Sequence, residues 1–179
     1  MESPSTTNFR MNIIDNFLPE EQFRVVQSVM MGDNFPWYWI PNITYPDSQN
    51  ERNGQFTHAF FIENKGKQSD MYPLLNPIIA KLYGSSSGVI YRVKANLNPR
   101  EDKHYQLGAY HVDYPIQCKT AIYYINTNNG HTKFIQDDII VPSVENRMVV
   151  FDSHLEHVGV CCTDEKTRVL INFNYITYQ

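Results

Sequence analysis

Arg168-Val169-Leu170-Ile171-Asn172-Phe173-Asn174-Tyr175-Ile176-Thr177, close to the C-terminus, is the stretch that settles the architecture. Successive side chains of a strand point to opposite sides. Val169, Ile171, Phe173 and Tyr175 therefore share one face, and Arg168, Leu170, Asn172 and Asn174 share the other. The first row suits packing against helices. The second row would line an interior, and it is unusually polar for one. It also carries a guanidinium, which is costly to bury without a counter-charge. These two rows predict a barrel strand, greasy outside where helices cover it and polar inside where a site is built.

Short β-like runs precede this strand at 89–97, 108–114, 118–126, 131–135, 138–141 and 147–153, with turn residues between them at 126–130 and 163–166. Many short strands at such spacing predict an antiparallel sandwich or barrel. Two helices are expected upstream. Pro19-Glu20-Glu21 opens the first, over 19–31, with acidic residues where the helix dipole favours them. Phe23, Val26, Val29 and Met30 form its apolar stripe, and Gly32 ends it. The second runs over 70–83 with Leu74, Leu75, Ile78, Ile79 and Leu82 on one side; Pro77 should kink or delay it. Two helices ahead of a barrel would cover one of its sheets. A short strand and turn are expected at 11–18 and another strand at 57–62. The aromatic cluster Trp37, Tyr38 and Trp39 fits either a substrate groove or core packing.

A length of 179 residues suits one domain, 1–179, with a helical and aromatic support over 1–88 and a β-barrel core over 89–179. The apolar share of 42% is enough for a core. A net charge of -4 and the lack of a basic run argue against nucleic acid. No apolar run approaches the roughly 18 residues that span a bilayer. Residues 1–10 lack the apolar middle of a secretory signal. Three cysteines, with Cys161 and Cys162 adjacent, make no disulfide framework. A cytoplasmic protein without a membrane partner is expected, and the Asn42-Ile43-Thr44 tripeptide then carries no glycosylation meaning.

The chemistry is carried by a few residues. His111 and Asp113 sit two apart, on one face if the segment is a strand. Together they supply two of the three ligands of a facial triad, which holds Fe(II) and leaves three positions open. A hydrogen-bonded surface pair has the same signature. The third ligand must come from a distant strand, and the segment 149–157 offers His154 and His157. His157 is preferred, because the turn after Ser153 gives it room to point inward; the alternative is that both are ordinary loop histidines. Arg168 needs an anion. Its planar fork suits a carboxylate through two parallel hydrogen bonds, either the distal carboxylate of 2-oxoglutarate or an acidic side chain in a structural salt bridge. Snorkelling to the rim would also serve it.

In chain order, His111-Val112-Asp113, Thr120-Ala121-Ile122-Tyr123-Tyr124-Ile125-Asn126, Gly130-His131-Thr132-Lys133-Phe134, Phe151-Asp152-Ser153 with His157, and Arg168 resemble the prolyl 4-hydroxylase-like branch of the 2-oxoglutarate/Fe(II) dioxygenases. The resemblance covers about residues 89–178. The stretches 126–130, 172–175 and 35–38 are also similar to small bacteriophage-encoded members of that branch. The resemblance implies a mainly β protein with flanking helices, built as a double-stranded β-helix of the jelly-roll or cupin kind. It implies Fe(II) held by His111, Asp113 and His157, a salt bridge from Arg168 to 2-oxoglutarate, and a Tyr124 hydroxyl donated to the same carboxylate. Strand parity agrees, since Thr120, Ile122 and Tyr124 share a face. O2 and 2-oxoglutarate would be consumed, succinate and CO2 released, and a C–H bond hydroxylated on a peptidyl residue or a free amino acid. Related halogenases lack the carboxylate that Asp113 provides, so its presence implies hydroxylation. Where members of the branch often carry two glycines, this chain has Asn129-Gly130, which leaves the shape of that loop open. The segment 98–109 fits a lid or a solvated loop equally. Two other readings stand beside this one. One is a non-catalytic cupin-like metal- or small-molecule-binding protein, against which Arg168 speaks because a mere metal binder has no need of it; the other, a nucleic-acid demethylase of the same superfamily, is disfavoured by the charge.

Overall fold

A computed structural model describes residues 11–41, 43 and 54–178. The readings made of residues 1–10, and of Asn42 and Thr44 in the tripeptide, lie outside the described residues. In chain order the elements are β1 (Asn12–Ile14), α1 (Glu20–Met30), β2 (Tyr38–Ile40), β3 (Gln55–Ile62), β4 (Gly66–Lys67), a 3₁₀ turn (Tyr72–Leu75), α2 (Asn76–Tyr83) and β5 (Ser87–Pro99). They continue with β6 (Lys119–Tyr124), β7 (His131–Phe134), β8 (Ile140–Pro142), β9 (Arg147–Asp152), β10 (His157–Val160) and β11 (Thr167–Tyr178).

The strands form two antiparallel sheets. The larger has the order β1-β9-β6-β11-β5-β3-β2, with β4 attached to β3, and the smaller has the order β10-β7-β8. Ile122, Tyr124, Val149, Phe151 and Leu170 of the larger sheet pack against Phe134 and Val141 of the smaller one. This pair of facing sheets is a double-stranded β-helix. The larger sheet draws on both halves of the chain, because β1, β2 and β3 all join it.

The alternation of β11 does what its pattern predicts. Val169, Ile171, Phe173 and Tyr175 bury against Phe23, Val26 and Met30 of α1 and Ile78 of α2. At roughly 1.5–3 kcal/mol for each fully buried large apolar side chain, this layer is a main source of stability. α2 starts late for the reason its sequence suggests. Pro77 sits in its first turn, where the missing N–H is not needed, and the turn before it is 3₁₀.

Two expectations need correction, and two open ones are narrowed. Residues 108–114 are not a strand; they touch the smaller sheet through the isolated bridge His111↔His157, and Gln106 just before them bridges Val160. Gly108 has φ 88°, a left-handed conformation that interrupts an extended run. The strand expected at 138–141 is moved and shortened to β8. A 3₁₀ turn takes residues 136–138, and Asp138 is left-handed with φ 54°. The aromatics Tyr38 and Trp39 are 64% and 55% exposed on β2, so neither is core. The segment after β5 is stitched down along its length. Arg100, Glu101, Leu107 and His111 donate backbone N–H bonds to Lys166, Cys162, Gly159 and His157, and a lid hinged only at its ends does not fit such bonding.

Candidate active site

The register of the larger sheet builds the site. On β5, Asn98, Asn96, Lys94 and Arg92 oppose Arg168, Leu170, Asn172 and Asn174 of β11. On β6, Tyr124, Ile122 and Thr120 oppose Leu170, Asn172 and Asn174. Strand parity turns these rungs toward the smaller sheet. A cavity between the sheets is lined by His111, Asp113, His157, Arg168, Thr132, Lys94, Asn96 and Asn172, among others.

At one end, His111, Asp113 and His157 place one ligand atom each within 4.8 Å of one another. His157 opens β10 and is buried, with its Nδ1 3.0 Å from the Leu155 carbonyl. His111 sits at the mouth, its Nδ1 3.0 Å from the Ala109 carbonyl. A carbonyl can only accept, so each Nδ1 carries the proton and each Nε2 is left with its lone pair. The His157 Nε2 then faces Asp113 Oδ2 at 3.2 Å, and the His111 Nε2 lies 3.8 Å from Asp113 Oδ1. Two lone-pair nitrogens around a carboxylate require a cation among them. A proton can serve one: burial lowers the His157 pKa, but the Asp113 carboxylate outweighs it and the net shift is upward. Burial and then the charge on His157 push the His111 pKa down. A divalent metal satisfies all three groups at once. The donor set, two imidazoles and one carboxylate, is the one that suits Fe(II).

Asp113 is held from behind. Its side chain is 7% exposed. Arg92 Nη2 donates to Oδ1 at 3.1 Å and Asn172 Nδ2 donates to Oδ2 at 2.6 Å. Arg92 is itself oriented by Asn174 Oδ1, 3.1 Å from its Nε. Burial alone would raise the Asp113 pKa, but His157, Arg92 and Asn172 together hold it well below the carboxylate range. Such outer partners fix ligand orientation and tune a metal site.

Arg168 lies at the other end, 2% exposed. Its Nε donates to Ser143 Oγ at 2.9 Å and its Nη2 to Thr132 Oγ1 at 3.1 Å. It forms no ion pair with any described residue, so the structural salt bridge is not what holds it. Tyr124 donates its hydroxyl to the same Thr132 Oγ1 at 2.8 Å, and the guanidinium carbon stands 5.7 Å from the Tyr124 ring centre. A hydroxyl accepts two hydrogen bonds and donates one. Thr132 has accepted two, so its own proton is free for an acceptor in the cavity. Gly130 leaves room for the arginine stem: a Cβ there would lie 2.7 Å from Arg168 Cδ. The preceding Asn129 closes the loop instead of a second glycine, exchanging hydrogen bonds of 2.8 Å with the Thr163 hydroxyl and backbone N–H.

The structure thus gathers His111, Asp113, His157 and Arg168 around one cavity, with Tyr124 directly behind its wall. His154 is exposed and stands outside the group. Sequence reasoning missed Arg92, Lys94 and Thr132. Arg92 and Lys94 alternate on β5 in step with Asn96 and Asn98, a polar row that could have been matched to the polar row of β11.

Comparison of the sequence with protein-family models and with curated proteins finds no match. The fold does find matches. An oxidoreductase of the 2OG-Fe(II) oxygenase family from Burkholderia pseudomallei superposes with a TM-score of 0.67 at 10% identity, over 93% of this chain and 85% of that one. A prolyl hydroxylase from Trichoplax adhaerens, in complex with a hypoxia inducible factor oxygen degradation domain peptide fragment, gives 0.62 at 17% identity over 95% and 84%. The viral collagen prolyl hydroxylase of Paramecium Bursaria Chlorella virus-1, solved with 2OG, gives 0.59 at 11% identity over 96% and 98%. At these identities the likeness is one of fold.

Proposed function

We propose that this chain is an Fe(II)- and 2-oxoglutarate-dependent oxygenase that hydroxylates a C–H bond of a peptidyl residue or a free amino acid. One observation carries the reading. The three ligand atoms of His111, Asp113 and His157 and the unpaired guanidinium of Arg168 line the same cavity. A protein that only bound metal would have no use for a buried arginine opposite the ligands, because an uncompensated charge is expensive to bury. The solved structures of the same fold support the reading, since two of those described above are prolyl hydroxylases and one holds a peptide.

The iron would be held by His111, Asp113 and His157. Bound iron and 2-oxoglutarate supply the oxidising chemistry, by which one atom of O2 enters succinate as CO2 leaves and the other becomes the product hydroxyl. The protein's own groups bind and orient. His111 and His157 present Nε2 because backbone carbonyls hold their Nδ1 protons. Arg92 and Asn172 fix the Asp113 carboxylate. Arg168 and Thr132 take the distal carboxylate of 2-oxoglutarate, and Tyr124 serves that grip by way of Thr132. Leu107, Ile122 and Leu170 line the remaining wall and limit water there.

The whole chain acts as one oxygenase domain on this reading. Its cysteines are free thiols, as a reducing cytoplasmic setting would keep them. Among the described residues no helix is long and apolar enough to cross a membrane. The test is calorimetric titration of 2-oxoglutarate into the anaerobic chain with Mn(II) in place of iron, followed by a succinate assay with Fe(II) and O2. Binding that needs the metal and iron-dependent succinate are expected. Absence of both would leave a barrel without the activity.

A further inference from the structure

Lys94 takes no part in the machinery described so far. It lies on β5 opposite Asn172, the residue that holds Asp113, and so at the iron end of the cavity it lines. Among the described residues it makes no hydrogen bond and no ion pair. Its charged surroundings are mixed: Arg92 repels it, while Asp113 attracts it but already accepts from Arg92 and Asn172. A second cation in a cavity that already contains Arg168 needs a second anion.

Arg168 and Lys94 cannot pair with one carboxylate, and the oxo-acid carboxylate of 2-oxoglutarate would be taken up by the metal. Arg168 pairs with Asn98, four residues along β5 from Lys94, a separation of about 13 Å at roughly 3.3 Å per residue. Two acceptors complete the pattern. Asn172 Oδ1 and Asn96 Oδ1 are buried without a hydrogen-bond partner. The Asn172 orientation is set, because its Nδ2 must donate to Asp113. Asn172 lines the cavity, and its oxygen is left as an acceptor with no donor. Asn96 lies two residues from Lys94, on the same face of the same strand. An ammonium group from a ligand would satisfy both oxygens, and a carboxylate beside it would satisfy Lys94.

We propose that Lys94, Asn96 and Asn172 form a substrate subsite, and that the molecule hydroxylated is a free α-amino acid whose carboxylate pairs with Lys94 and whose ammonium donates to the two amide oxygens. The inference rests on the oxygenase reading above and names the substrate class for it. A peptidyl residue inside a chain has neither charge and would leave Lys94 uncompensated.

The test uses the full chain, anaerobic, with Mn(II) and saturating 2-oxoglutarate. The twenty standard amino acids are titrated by calorimetry, each beside its carboxamide, and coupled CO2 release is then read with Fe(II) and O2. At least one amino acid should bind and stimulate release, and its carboxamide should bind at least about tenfold more weakly. Lys94→Met should weaken the amino acid by a similar factor and leave 2-oxoglutarate affinity within about twofold. Lys94→Arg, which keeps the charge, should recover part of the loss. The proposal is overturned if no amino acid binds, if the carboxamide binds as well, or if Lys94→Met weakens 2-oxoglutarate instead. Should Lys94→Met fail to fold, the comparison of acid with carboxamide on the unaltered chain still decides. Loss of 2-oxoglutarate binding by the unaltered chain would sink the oxygenase reading, whereas intact 2-oxoglutarate binding without amino acid binding would sink the subsite alone.

Discussion

At the scale of single residues, the site stores unpaired charge. Arg168 has hydroxyl partners and no anion among the described residues. Burial pulls its pKa down. The empty protein should therefore gain by losing it, since well-packed apolar replacements of buried charges are often neutral or stabilising. Arg168→Met is expected to melt no lower than the parent when empty. It should also bind 2-oxoglutarate at least about a hundredfold more weakly, because a lost partner of a buried charge pair costs about 3–5 kcal/mol. Calorimetry with Mn(II) reads the second effect, and an unchanged affinity would mean that Arg168 serves the barrel only. Lys94 makes a parallel case with a pH signature. Burial first, and then Arg92, lower its pKa from 10.5 to about 8. Between those values the unfolded chain holds a proton that the folded chain has shed, so stability rises with pH there. Below about pH 8 the folded parent carries the full penalty, and above 10.5 it carries none. Lys94→Met should be the more stable chain at pH 7, with the gap closing as pH climbs through that window. Urea denaturation of both chains at matched pH checks it; a gap that does not change with pH would mean that Lys94 carries no such penalty.

At the scale of elements, β11 separates stability from chemistry. Ile171 faces the helix-covered core, one position from Asn172, which faces the ligands. Ile171→Ala removes a fully buried side chain and should cost about 2–5 kcal/mol of stability. Under folding conditions its 2-oxoglutarate affinity should stay within a few-fold of the parent. Asn172→Ala should do the reverse: modest loss of stability, but metal affinity lower by about ten- to a hundredfold, as for other outer-shell partners of ligands. Equal effects of both substitutions on both readouts would mean that the two faces of the strand are not independent. The segment from residue 100 to 111 is the complementary case. It is held by backbone bonds to β10 and the residues after it, so His111 comes from a stitched loop while His157 comes from a strand.

At the scale of the whole molecule, bound ligands would add links between elements that the fold already brings together. A metal at His111, Asp113 and His157 would tie the smaller sheet and its bridging segment to Arg92 and Asn172 of the larger one. Anything that binds the folded chain alone stabilises it, by about 2.7 kcal/mol at a hundred times its dissociation constant. For a chain of this size that amounts to a rise in Tm of roughly 5–10 °C. Mn(II) with 2-oxoglutarate should produce such a rise in the parent and in His154→Ala, whose side chain is exposed and outside the ligand group. His157→Ala should lose both contributions. Thermal melts with and without each ligand measure this, and an undiminished shift in His157→Ala would mean that the third ligand is another residue.

The grouping of His111, Asp113 and His157, the buried arginine and the two faces of β11 are legible in the sequence, because they depend on side-chain identity and on a period of two that every strand obeys. The same holds for α1 and for the delay of α2 at Pro77, which follow from local backbone chemistry. The segment around His111 was not legible in that way. Its alternation looked like a strand, but a ladder also needs a continuous partner, and Gly108 and the single bridge to His157 show that it has none. Arg92, Lys94 and Thr132 were hidden for a related reason. Arg92 meets Asp113 from 21 positions away and Thr132 meets Arg168 from 36, and a charge on a strand reads as solvent-facing until its neighbours are known. Local sequence specifies conformation and the menu of chemistry. Which charges are shut away together depends on sheet register, a property of pairings between distant strands.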